Sequence, residues 1–112
     1  MVALAITPQE QAKGLGQRAS LPQDQGMLFL FKKADKLYFW MKDMEFPIDI
    51  IFIKDHTIVS VAENVPALKV PDNKLPIYSP TKPSDKVLEI NAGLFKKYNF
   101  KAGDTITISP DH

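Results

Sequence analysis

The stretch Phe39-Trp40-Met41-Lys42-Asp43-Met44-Glu45-Phe46-Pro47-Ile48-Asp49-Ile50-Ile51-Phe52-Ile53 decides the fold. It reads as strand, turn, strand: two apolar runs flank a turn that gathers charge and a proline. In the first run, alternation puts Leu37, Phe39 and Met41 on one face and Tyr38 and Trp40 on the other. Two faces of that kind predict a sheet covered, at least in part, on both sides. In the second run, Ile48, Ile50 and Phe52 share a face, leaving Asp49, Ile51 and Ile53 on the other. The two flanking strands are expected in the middle of the sheet.

Upstream, Val2 to Ile6 reads as a short strand. Thr7-Pro8-Gln9-Glu10 is a capping box with proline at the first helical position, which starts a helix running to about Lys13. Gly14 or Gly16 supplies its end. Met27 to Phe31 is continuously apolar, as a covered strand is. The polar run Lys32 to Lys36 then reads as a connection. Downstream, Ile58 to Val61 is the return strand of a hairpin. Residues 66–83 carry Pro66, Pro71, Pro76, Pro80 and Pro83, which predicts a long irregular loop. Leu68, Val70, Leu75, Ile77 and Tyr78 are expected to anchor it to the body. Lys86 to Ile90 is a strand, Asn91 caps a helix from Ala92 to about Tyr98, and Thr105 to Ser109 is a last strand. Strands outnumber helices and most connections are of hairpin length. The fold class is therefore α+β: a mainly antiparallel, partly closed, barrel-like sheet with two short helices.

A chain of 112 residues is expected to form a single domain, residues 1–112, and needs no metal or disulfide to fold. Fourteen basic against thirteen acidic side chains leave a net charge of +1, which offers no footprint for nucleic acid or an anionic membrane. Tyr38, Trp40 and Phe52 are better read as core aromatics than as a base-stacking platform. There is no cysteine, hence no thiolate ligand or nucleophile, and His56 and His112 have no partner at metal-site spacing. No metal and no cofactor are expected. The serines lack a Gly-x-Ser-x-Gly context, and Gly14-Leu15-Gly16 follows a helix rather than a strand, so it is no phosphate loop. No apolar run is long enough to span a membrane.

Gly14-Leu15, Arg18, Gly26-Met27-Leu28-Phe29, Phe39-Trp40-Met41-Lys42, Pro47-Ile48-Asp49-Ile50, Val87-Leu88-Glu89 and Ala92-Gly93 stand in the order and spacing of a known family. Across nearly its whole length the chain resembles the domain of unknown function 192 (DUF192) family. The resemblance implies a β-rich domain found across bacteria and archaea, often behind a signal peptide or lipoprotein leader. It favours an extracytoplasmic setting if a leader has been removed, and it implies no established activity. Gly26, Met27, Pro47, Glu89 and Gly93 are its structural motif here. Two departures stand out. Gly16 occupies the place of a usual methionine, and Asp43-Met44 the place of a usual Asn-Thr.

Trp40, Lys42, Asp43, Asp49 and Arg18 form the candidate site, where the Lys42–Pro47 turn, Arg18 and the proline-rich loop converge. Trp40 would stack a sugar or another planar ligand, Arg18 and Lys42 would hold an anion or polar group, and Asp43 and Asp49 would orient them. The bland reading makes Trp40 a core residue and Asp49 an acceptor for turn N–H groups. No catalytic residue is assigned. The leading expectation is a non-enzymatic accessory module, a monomer, that binds a small ligand or a protein partner. A carboxylate-dependent hydrolase is the alternative and needs two of Asp43, Asp49, Glu63 and Glu89 in one open cleft. Glu89, beside a helix start, would otherwise cap backbone donors. A purely structural docking domain using the proline-rich loop is the third reading.

Overall fold

The computed structural model describes residues 2–107. In chain order it holds β1 (Val2–Ala5), α1 (Pro8–Lys13), β2 (Gly26–Asp35), β3 (Phe39–Trp40), β4 (Ile48–Lys54), β5 (Thr57–Val65), a single 3₁₀ turn (Asp72–Lys74), β6 (Ile77–Tyr78), β7 (Ser84–Asn91) and α2 (Leu94–Lys97). Five strands make one sheet in the order β1-β2-β7-β4-β5. Only β1 against β2 is parallel, with α1 in the crossover; the other neighbours are antiparallel. The sheet is mixed, mostly antiparallel and not closed, as the α+β reading requires.

Each interior strand is covered on both sides, which is why β4 reads as a near-continuous apolar run. On one face Met27, Phe29, Ile48, Ile50, Phe52 and Val87 meet Leu15, Leu21, Met41 and Met44. On the other, Leu28, Ile51, Ile53 and Leu88 meet Phe95 of α2 and Ile106. Burying each such side chain contributes about 1.5–3 kcal/mol, so the two layers hold the sheet independently of its hydrogen bonds.

Helix α1 starts as its sequence dictates. The Glu10 N–H donates to Thr7 Oγ1 at 3.1 Å, and the Thr7 N–H to Glu10 Oε1 at 3.0 Å. Those bonds hold the Glu10 carboxyl below its ordinary pKa, the backbone donor at Thr7 first among the causes. Gln11 Nε2 then ties the helix to the sheet by donating to the Leu30 carbonyl at 2.8 Å. Gly14, at φ +50°, closes the helix.

The structure corrects four expectations. The segment before the charged turn does not enter the main sheet: β3 is only two residues long and pairs with β6 out of the proline-rich loop. Phe39 explains this. It is held edge-on by Phe29 (5.0 Å), Phe52 (6.1 Å) and Phe31 (6.4 Å), so the backbone is pinned above the sheet rather than within it. Strand β2 continues past Phe31 to Asp35, through an irregularity between Leu30 and Asp35, where a polar connection was expected. The proline-rich loop carries the 3₁₀ turn and β6, kept to two residues between Pro76 and Pro80, while its expected anchors Leu68, Val70 and Ile77 are exposed. Finally, α2 is one turn long, begins after Gly93, and is not capped by Asn91. The Asn91 side chain instead donates to the Leu21 carbonyl across the sheet face. Of the expected last strand, Thr105 bridges Thr57, whereas Ile108 and Ser109, like His112, lie outside the described residues.

Candidate functional site

The sheet buries two carboxylates on adjacent strands and treats them differently. Asp49 of β4 is fully buried and turned toward α2. Its Oδ1 accepts from the Asn64 N–H at 2.8 Å, and its Oδ2 from the N–H groups of Gly93 (3.1 Å) and Phe95 (3.0 Å). The backbone is shaped to deliver those donors. Asn64 and Gly93 both have positive φ, +52° and +91°. The β4–β5 register shifts between Ile48 and Ile50, so β5 bulges where Asn64 turns its N–H inward. Asp49 thus caps α2 and clamps a bulge, and both oxygens are used.

Glu89 of β7 lies on the opposite face. Its register partners are Met27 on β2 and Ile50 on β4, both buried and apolar. Only 5% of the residue is exposed, and its carboxyl takes no hydrogen bond or ion pair among the described residues. Burial pushes it up to about 8, so it carries a proton at neutral pH. It is not sealed in. Glu89 forms part of the wall of a cleft of about 280 Å³ between α1 and β3. A Cβ built on Gly14 would stand 3.7 Å from Glu89 Oε1 and 3.1 Å from the Phe29 ring, so the absence of a side chain there leaves the carboxyl open. Phe31, Tyr38, Phe39 and Trp40 supply aromatic walls, and Gln11, Lys13 and Lys42 a polar rim.

Trp40 is 44% exposed. It stands beyond the core because neighbouring Phe39, half-buried, takes the core-facing position and alternation turns Trp40 outward. Lys42 Nζ lies 5.4 Å from the Trp40 ring centre, within cation–π range. The same ammonium pairs with Asp72 in the proline-rich loop; that hydrogen bond is the main reason its pKa is raised. A second exposed pair, Lys69 with Glu45 at 2.8 Å, joins the same loop to the same turn. Exposed pairs of this kind contribute little to stability. They do show that the turn and the proline-rich loop converge as expected, over a shallower groove lined by Asp43, Met44, Val70 and Pro71.

The predicted site therefore separates. Trp40 and Lys42 belong to the cleft. Arg18 is exposed and is not among the cleft's lining residues. Asp43, at φ +59°, is the left-handed residue of the turn, and its carbonyl accepts from the Gln17 N–H at 2.9 Å. Asp49 accepts from backbone N–H groups, as its structural reading had it, but from Asn64, Gly93 and Phe95 rather than from the 42–47 turn, whereas Glu89, read as a cap for backbone donors, faces the cleft instead. Among the described residues, no two of the four carboxylates of the hydrolase reading line one open cleft: Asp49 is fully buried, Glu89 lines the cleft beside Trp40, Glu63 lines a depression with Phe95 and Lys96, and Asp43 borders other depressions. What sequence reasoning missed is the cleft itself, with Gln11, Lys13, Gly14, Phe31 and Tyr38. One signal was present. Glu89 shares alternation with core-facing Val87, so its register pointed to a buried carboxyl.

Among the described residues, no cluster of histidine and carboxylate side chains could hold a metal ion, and no helix is long and apolar enough to cross a membrane. The DUF192 family model, described as "Uncharacterized ACR", matches residues 1–108. A crystal structure of a protein of unknown function from Novosphingobium aromaticivorans is 37% identical, with a TM-score of 0.84 over 96% of this chain and 74% of that one. Another, of a protein from Sinorhizobium meliloti described as a candidate transcription regulator, is 36% identical, with a TM-score of 0.82 over 93% of this chain and 78% of that one. No curated protein matches.

Proposed function

The chain belongs to the DUF192 family, and from that premise we propose that it is a non-enzymatic binding module whose cleft beside Trp40 takes one small organic ligand. The observation that carries this reading is Glu89: a carboxyl buried among apolar side chains, without a partner among the described residues, opening into a cleft with aromatic walls. The Glu89 oxygens keep their accessibility only through the cleft, so a ligand group that enters it can supply the hydrogen bonds the surrounding side chains do not. The cleft, at about 280 Å³, is at the small end for a ligand site, and it sets aromatic rings beside a few polar groups, the combination that fixes and orients a small molecule. The near-balance of 14 basic and 13 acidic residues favours such a ligand over nucleic acid. In this reading Trp40 and Tyr38 hold the ligand's body, and Glu89 its polar head. The module acts as a single domain, in an extracytoplasmic setting where the full gene carries a leader.

Thermal-shift screening against sugars, carboxylates, amines and short peptides tests this, with Trp40→Ala alongside. At least one ligand class should raise the midpoint of the wild type and not of the variant. A panel with no response, or one whose hits are indifferent to Trp40→Ala, overturns the reading.

A further inference from the structure

We infer that the ligand presents a cationic nitrogen, an organic ammonium or amidinium, and that the nitrogen enters the cleft to pair with Glu89. This rests on the cleft being the binding site and names the chemistry of its occupant.

Three observations converge on it. The first is the lone carboxyl at the cleft wall. No described donor reaches it, and its cross-strand neighbours Met27 and Ile50 have none to offer. A ligand that brings positive charge and N–H donors satisfies it more completely than a hydroxyl does. The second is the aromatic wall. Phe31, Tyr38, Phe39 and Trp40 present rings, and rings with a carboxylate are the surroundings in which organic ammonium groups are held. The third is that the protein already uses one of these rings in that way: Lys42 Nζ sits 5.4 Å from the Trp40 ring centre.

The charged groups around the cleft allow this. On α1, Lys13 stands at the rim; after β3, Lys42 does too, but Asp72 neutralises it. Tyr38 is the remaining titratable group in the lining, and β2 and β4 contribute none. Lys13 and Lys42 are exposed whereas Glu89 is buried, so both lysines can turn their charge to solvent while a cation in the cleft meets Glu89, the one carboxyl among the described lining residues.

The inference has a signature in protons. Glu89 holds its proton up to about pH 8, so a cation must displace that proton to bind. Affinity for a ligand of fixed positive charge should therefore rise roughly tenfold per pH unit from about 6 toward 8, with release of about one proton. The test is calorimetric titration with phenethylammonium, phenethyl alcohol and phenylacetate over that range, in buffers of different ionisation enthalpy. Phenethylammonium should bind at least about tenfold more tightly than the alcohol at pH 8 and lose about tenfold or more in Glu89→Gln, which mimics the neutral carboxyl in size. Alcohol binding should be little changed by that variant. Equal affinity for the alcohol, pH-independent ammonium binding in the wild type, or full ammonium binding by Glu89→Gln would overturn the cation. If none of the three probes binds while the screen yields a Trp40-dependent ligand, the cation fails and the cleft stands. If the screen is also empty, both fail.

Discussion

Asp49 and Glu89 sit within one register step of each other on neighbouring strands, since Asp49 pairs with Ile90 and Glu89 with Ile50. Both are buried carboxyls on a sheet whose buried side chains, Ser84 and Asn91 apart, are otherwise apolar. One has three backbone N–H donors and the other has none among the described residues. The difference lies in what each face carries. The face toward α2 offers a helix start and a strand bulge, both rich in unpaired N–H groups. The face toward α1 offers aromatic rings and a cleft. A buried carboxylate surrounded by donors is part of the framework, whereas one left unmatched beside open space is available to something else.

The largest effect expected from breaking this pair is at Asp49. Asp49→Ala removes the acceptor for three buried or half-buried N–H groups at once, and each orphaned donor is costly. A loss of about 3–5 kcal/mol is expected in urea unfolding, with α2 the first element to lose hydrogen-exchange protection. Asp49→Asn, which keeps one acceptor oxygen, should lose less. If Asp49→Ala unfolds at the wild-type midpoint, the clamp is not part of the framework and the contrast with Glu89 collapses.

Glu89 should behave in the opposite sense. Its carboxyl titrates at about 8 in the folded chain and near its ordinary 4.5 when unfolded. Between those values the folded state holds a proton that the unfolded state has released. Stability is therefore greatest at or below the lower value, falls as pH rises through the interval, and levels off above about 8. The fall is on the order of a few kcal/mol. Glu89→Gln should flatten it, leaving stability near pH 5 about unchanged and raising it near pH 9. Urea unfolding of both proteins across that range checks this. A wild type with no downward slope would mean that Glu89 is hydrated or paired, and hence that the cleft lacks the unmatched group on which the binding reading depends.

How far the sequence disclosed this follows from the same contrast. The elements around Thr7, Met27, Ile48 and Lys86 were legible because capping chemistry and apolar alternation are local. The family pattern, too, marked Trp40, Asp49 and Glu89 as a set. What local pattern does not carry is which face meets a helix start and which meets a cleft, because that depends on where α1 and β3 settle. Trp40 and Asp49 lie in one continuous stretch but end on different sides of the sheet. The departures from the family pattern show the same limit. A Cβ at Gly16 would stand 3.1 Å from the Lys42 carbonyl and 3.6 Å from Asp43 Cβ, so two substitutions distant in sequence adjoin in space. Met44, from that same turn, is buried in the core beside the cleft, which gives the second departure a packing role.

The smallest expected effect divides the Asp49 clamp into its two halves, the carboxylate and the backbone that feeds it. Asn64 delivers its N–H from a left-handed conformation at φ +52°, which asparagine and glycine tolerate and alanine does not. The asparagine side chain makes no hydrogen bond among the described residues, so the position is a test of backbone alone. Asn64→Ala should cost about 1 kcal/mol, and Asn64→Gly close to nothing. Because the N–H survives both changes, neither should alter the pH dependence assigned to Glu89 on the other face. Should Asn64→Gly cost as much as Asn64→Ala, the side chain and not the backbone holds the bulge, and Asp49 is then served by a turn that exists for another reason. Should either variant shift the Glu89 titration, the two faces communicate through β4, and the framework carboxylate and the open one belong to one coupled site.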